Sequence, residues 1–268
     1  MVFFPFTILT HHFSNNYPST TMLSLHISLL LASTLSRSCI ATYSLAQDYT
    51  GANFFNGFEF FTGADPTGGH VQFVDMNTAN STGIAGIMSG GSANNAVYLG
   101  VDSTTVAPQG RGAIRVTSTQ TFQHALVIAD IVHMPGGICG TWPAMWMLGA
   151  NKTWPDGGEI DIVEGVNAQS GNKMTLHTNS GVEVQNGTDF SGELVTSNCD
   201  INAPGQGTNA GCQIADTQSL TFGSGFNAAN GGVYATEWTS DFIKIWFFPR
   251  GSIPSDIASG SPTPSDAW

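Results

Sequence analysis

Glu159, Asp161 and Glu164 put three carboxylates into six residues of the run Gly-Gly-Glu-Ile-Asp-Ile-Val-Glu-Gly at 157–165, in a chain with only seven Lys and Arg together. On a strand, residues two apart share a face, so Glu159 and Asp161 point one way while Ile160 and Ile162 point the other. Glu164 stands an odd number of positions from both and faces away on a regular strand. One extra residue in a bulge restores its facing, and bulges gather beside active sites. Two carboxyl groups brought about 5–5.5 Å apart suit retaining glycosidic chemistry, in which one attacks the anomeric carbon and the other protonates the leaving oxygen. Asp161, beside both, would help keep the acid protonated while the nucleophile stays ionised, and the titration would belong to the cluster as a whole. The competing uses of such a run are an acidic strand end at the surface or a calcium site.

Aromatic side chains crowd the same stretch. Trp142 and Trp146 lie in Gly140-Thr141-Trp142-Pro143-Ala144-Met145-Trp146-Met147, and Trp154 precedes Glu159 by five residues. Sugar rings present C–H faces that stack on flat aromatic surfaces, so Trp beside carboxylates points to a carbohydrate cleft. Trp is also a good core filler. That reading suits Trp142 better, whereas Trp146 and Trp154 suit sugar contact.

Strands must position these groups. From Tyr43 onward, short apolar or alternating runs are broken by Gly, Asn, Pro and Ser. The candidates are 71–74, 97–101, 114–117, 125–133, 145–148, 160–164, 174–177, 234–239 and 242–248, with one helical turn near 54–58. Many short strands with Gly-rich connections predict an all-β domain, a sandwich or barrel of antiparallel sheets. The stretch 184–232 reads as long loops, where binding is often found. Neither a repeat nor a second domain is visible.

The 268 residues carry 19 Asp and Glu against 7 Lys and Arg, a net charge of -12, with no basic cluster. Phosphate contacts need Lys and Arg, so nucleic acid is excluded as a partner and a neutral polymer fits better. No glycine-rich fingerprint follows a strand, so no nucleotide or redox cofactor is implied, and no metal is expected. Residues 1–41 read as a leader. Within it, 22–41 has the short apolar core and small-residue end (Ser38-Cys39-Ile40-Ala41) of a signal peptide, with Met22 a second plausible start. Secretion follows, outside the cell or into the wall, with no membrane partner once the leader is removed. Cys199 and Cys212 then bracket a Gly- and Asn-rich loop as a natural disulfide, which leaves Cys139 without a partner. Asn80, Asn151 and Asn186 head glycan-acceptor patterns.

With these residues in view, the chain from about Ala41 onward resembles glycoside hydrolase family 16, most closely its fungal laminarinase-like members. The resemblance rests on Glu-Ile-Asp-Ile-Val-Glu at 159–164, Gly-Thr-Trp-Pro-Ala at 140–144, Met-Thr-Leu-His-Thr at 174–178 and Phe-Ile-Lys-Ile-Trp-Phe-Phe-Pro-Arg at 242–250. It implies endo-acting, retaining hydrolysis of β-1,3 or mixed β-1,3/1,4 glucan by a monomer. Glu159 would be the nucleophile, Glu164 the general acid/base and Asp161 the assisting carboxylate. His177 would lie near the cleft and share substrate contact with Trp142, Trp146 and Trp154. The same resemblance implies a β-jelly-roll sandwich with the groove across its concave sheet. A glucan transglycosylase and a non-catalytic glucan-binding protein are the alternatives on that scaffold. Such family members continue past the position of Trp268 with further strands and usually another cysteine. A jelly roll lacking its C-terminal strands is therefore expected, with exposed sheet edges, a partly opened core and a loop-like tail over 260–268.

Overall fold

The computed structural model describes residues 43–90, 95–185, 187 and 190–268, together with the backbone of 2–4 and 6–11. Ten strands form its two main sheets: β1 (Phe6–His11), β2 (Tyr43–Tyr49), β3 (Ala125–Ile131), β4 (Ala144–Leu148), β5 (Glu159–Glu164), β6 (Lys173–His177), β7 (Glu193–Thr196), β8 (Cys212–Ala215), β9 (Gly232–Trp238) and β10 (Ile243–Pro249). One antiparallel sheet has the order β10-β9-β3-β1-β2 and the other β4-β5-β6-β8-β7. Their facing sides enclose one core, which makes the two-sheet jelly-roll sandwich expected from the sequence. Shorter pairings flank it. Phe58–Phe60 pairs with Val116–Ser118 and Ala85–Ile87 with Val97–Leu99, both antiparallel, while Val71–Phe73 runs parallel to Arg111–Ala113.

Strand β3 shows why the sandwich closes. Its sequence Ala-Leu-Val-Ile-Ala-Asp-Ile is apolar at every position but Asp130, the pattern of a strand covered on both faces. Ala125, Val127, Ala129 and Ile131 enter the core between the sheets, against Met145, Ile162 and Val163 of the opposite sheet. The fully buried rings of Phe222 and Phe226, at and beside the helix Gly223–Ala228, fill the remaining space. Burying one such ring contributes about 1.5–3 kcal/mol. Leu126 and Ile128 point outward into a second core with Tyr43, Val233, Ala235 and Phe248.

That second core bears on the expected tail. Residues 260–268 are irregular, as expected, but the end is anchored: Trp268, with Ile253 and Ile257 ahead of the tail, covers the outer face of the first sheet. Trp268 meets Trp246 and Phe248 edge-on at 5.4 and 5.6 Å, and its indole N–H donates to Asp256 at 3.1 Å. Two further differences concern boundaries. Residues 6–11, assigned by sequence to a leader, pair as β1 between β3 and β2; Phe-Thr-Ile-Leu-Thr-His is rich in β-branched residues that suit a strand. The rest of the leader, including the expected signal segment, lies outside the described residues. The stretch 184–232 is not all loop, since it holds β7, β8 and the helix Gly223–Ala228. Cys199 and Cys212 form the expected disulfide, both nearly fully buried, and Cys139 is a free, exposed thiol.

Candidate active site

The three carboxylates sit on β5, and the register against β4 shows how they come to share a face. Ala144 pairs with Glu164 and Met145 with Val163, but the next residue of β4, Trp146, pairs with Asp161. Ile162 is therefore the extra residue of a bulge in β5. Ile162 and Val163 both turn into the core, fully and almost fully buried. The polar set Glu159, Asp161 and Glu164 is left on the outer face of this sheet, as the odd spacing required. On the other side, Glu159 pairs with His177 and Asp161 with Thr175 of β6. Thr175 accepts a hydrogen bond from Gln213 of β8 at 3.3 Å, so a polar row crosses the sheet from Trp146 through Asp161 and Thr175 to Gln213.

Asp161 is the buried centre of the cluster, 2% exposed, and His177 beside it is 8% exposed. His177 Nε2 lies 3.2 Å from Asp161 Oδ2, within ion-pair reach. Burial raises Asp161 above the usual carboxylate range; the hydrogen bond to His177 pulls it back, while the charge of Glu164 adds to the rise. Glu159 is also raised, by burial first and by the Asp161 charge second, against the opposing pull of the Trp154 N–H and His177. For His177 burial acts downward, but the hydrogen bond and charge of Asp161, joined by both glutamates, outweigh it and raise the imidazole. The site is thus a proton-sharing cluster in which each member's charge state depends on the others. Gly211 makes room for the histidine: at its φ of +62°, an added Cβ would stand 2.4 Å from the Leu176 carbonyl oxygen and 2.8 Å from His177 Nδ1.

Each glutamate is held by an indole. Trp154 Nε1 donates to Glu159 Oε2 at 2.5 Å, and Trp142 Nε1 donates to Glu164 Oε1 at 2.8 Å. Both rings stay open to solvent, Trp142 at 55% and Trp154 at 39%. The core reading of Trp142 is therefore wrong: its N–H needs a polar partner, and the Glu164 carboxylate supplies one. The loop that carries Trp154 is tied down by Asn179, whose amide donates to Asp156 at 2.8 Å. Trp146 is half-buried, with the Arg115 guanidinium carbon 4.9 Å from its ring and 5.2 Å from that of Phe61. Such cation–π stacking fixes the indole plane.

Sequence reasoning singled out Glu159, Asp161, Glu164, Trp142, Trp146, Trp154 and His177, and the fold brings all seven together along β5, from Trp154 and His177 beside Glu159 to Trp142 beside Glu164. Arg115, Thr175 and Gln213 were missed. Thr175 lies inside the Met-Thr-Leu-His block and shares a face with His177, the one signal that could have found it. Of the glycan acceptors, Asn80 and Asn151 are exposed and Asn186 lies outside the described residues.

A family model described as an XgeA-like, catalytic GH16 domain matches residues 58–268. An endo-1,3(4)-β-glucanase from Arthroderma benhamiae is 47% identical over 239 residues, 88% of this chain and 51% of that protein. The chain thus spans about half the length of this curated relative. Among solved structures, an elongating GH family 16 β-1,3-glucosyltransferase superposes with a TM-score of 0.72 at 47% identity, covering 80% of this chain and 69% of that one. Laminarinase 16A from Phanerochaete chrysosporium, with 6-O-glucosyl-laminaritriose in donor and acceptor sites, gives 0.75 at 41% identity, covering 83% and 73%.

Proposed function

Because the chain belongs to glycoside hydrolase family 16, we propose that it cleaves β-1,3 or mixed β-1,3/1,4 glucan from within the polymer, with retention at the anomeric carbon. The observation that carries this reading is the bulge at Ile162, which sets Glu159 and Glu164 on one face with Asp161 between them. The Glu159 carboxylate attacks C1 and the bond to the leaving oxygen breaks as Glu164 gives that oxygen its proton. Water, deprotonated by Glu164, then releases the glycosyl group from Glu159. Asp161 and His177 share charge with the nucleophile and buffer it as its own charge is spent. The exposed rings of Trp142 and Trp154 offer sugar platforms on either side of the scissile bond. Action outside the cell fits the Cys199–Cys212 bridge.

Transfer to a second sugar is the other reading, favoured by the 47% identity to an elongating glucosyltransferase. It uses the same first step and replaces water by an acceptor hydroxyl. Proton NMR of the earliest products from laminarin tests the mechanism: the β-anomer is expected first, and initial α-anomer overturns it. Products longer than an added laminari-oligosaccharide would assign transfer over hydrolysis.

A further inference from the structure

Strand β6 pairs with β5 only along Glu159, Asp161 and the residue between them. Ile162, Val163 and Glu164, the bulged half of β5, have no strand on that side among the described residues. A side chain stands there instead. Asn172, fully buried just before β6, accepts the Glu164 N–H on Oδ1 at 2.9 Å and donates from Nδ2 to the Ile162 carbonyl at 2.8 Å. One amide thus makes both bonds that a neighbouring strand would have made. Its orientation is unambiguous, because the Glu164 N–H can only donate and the Ile162 carbonyl can only accept.

The staple is anchored at its other end. The Asn172 N–H donates to Thr221 Oγ1 at 3.0 Å, and the Thr221 carbonyl accepts the buried Tyr234 hydroxyl of β9 at 2.6 Å. Gln169 completes the hold, donating from Nε2 to the Glu164 carbonyl at 2.8 Å and to the Gly171 carbonyl at 2.9 Å. The Glu164 backbone is therefore fixed at its N–H by one side chain and at its carbonyl by another. Its carboxyl group, by contrast, has one hydrogen-bond partner among the described residues, the indole of Trp142, a residue 55% exposed to solvent. Where that carboxyl sits is decided mainly by the backbone beneath it.

We infer that Asn172, assisted by Gln169, is a positioning residue: it clamps the bulge so that Glu164 meets the leaving oxygen. This deepens the proposed function and rests on the reading of Glu164 as the acid. Loosening the clamp should slow cleavage where a proton must be delivered and spare it where none is needed. The test compares kcat/KM on laminarin with kcat/KM on 2,4-dinitrophenyl β-laminaribioside, whose leaving group departs without an acid. Asn172→Ala is expected to lose about 10- to 100-fold on laminarin, the equivalent of two hydrogen bonds, and less than about 3-fold on the aryl glycoside. Gln169→Met, at a half-buried position, should show a weaker form of the same split, and it decides the matter if Asn172→Ala does not fold. Phe226→Leu, a core change, sets the pattern of mere destabilisation, with both substrates falling together. Equal losses on both substrates in the deciding variant would overturn the clamp. Glu164→Ala runs alongside: if it too loses both equally, the assignment of Glu164 as the acid is what has failed.

Discussion

Deleting Ile162 and deleting Ile160 each remove one isoleucine from β5, yet the register makes them opposite experiments. Without Ile162, the pairs Ala144–Glu164, Met145–Val163 and Trp146–Asp161 become an unbroken ladder. Glu164 then follows Asp161 by two and keeps its face. Without Ile160, Glu159 becomes the immediate neighbour of Asp161, and the two must point to opposite sides or the strand must slip. The first deletion costs a fully buried side chain, about 2–5 kcal/mol, and two staple bonds, about 1–3 kcal/mol. Together these come to about 3–8 kcal/mol, so a parent in the upper part of the usual range of about 5–15 kcal/mol stays folded with a lowered melting temperature.

Laminarin activity in the Ile162 deletion should stay within about 100-fold of the parent, the loss coming from the missing clamp. The Ile160 deletion turns Glu159, the proposed nucleophile, away from Asp161 and Glu164 and should lose on the order of 10⁴-fold or more. Reducing-sugar release, measured well below the lower of the two melting temperatures and with circular dichroism to confirm the fold, separates them. An Ile162 deletion that is folded and as inactive as the Ile160 deletion would refute the argument that facing, set by one extra residue, organises the site.

The disulfide and the proton cluster give two further expectations. Replacing Cys199 and Cys212 by Ser reopens a loop of 13 residues, expected to cost about 3 kcal/mol in urea unfolding. A loss below about 1 kcal/mol would mean that the Gln206 bonds to the Asn198 backbone, at 2.8 and 3.0 Å, already order that loop. As for pH, Glu159, Asp161 and His177 all have raised values in the folded state, so the native protein holds more protons than the unfolded chain. Stability from this cluster is complete below the ordinary carboxylate range and falls as pH rises through the raised values. The melting temperature should therefore drop from pH 5 to pH 8, and Asp161→Asn should flatten the drop; an equal slope in that variant would remove Asp161 from the account.

The facing of Glu164 was legible because strand periodicity is exact, so an odd spacing between residues that must share a face demands one extra residue. Which residue is extra was not legible. Ile162 and Val163 are both apolar, and only the partner strand's register distinguishes them. Asn172 left no trace in the pattern for a related reason: a side chain that bonds backbone across eight residues has no period and no composition to betray it. Strands β7 and β8 were read as loop because four residues are too few to show alternation amid glycine and asparagine; β8 takes its place by pairing with β6, and β7 by pairing with β8. Trp142 failed in the opposite direction, since its apolar bulk argued for the core and its single N–H argued for a carboxylate. His177 shows where local reasoning stops and pairing begins. It stands opposite Glu159 in the register, yet its imidazole reaches diagonally to Asp161, the most buried and therefore the most costly charge on the strand. A sequence can specify which residues share a face, but the partner that makes a buried carboxylate tolerable is chosen by the strand that arrives beside it.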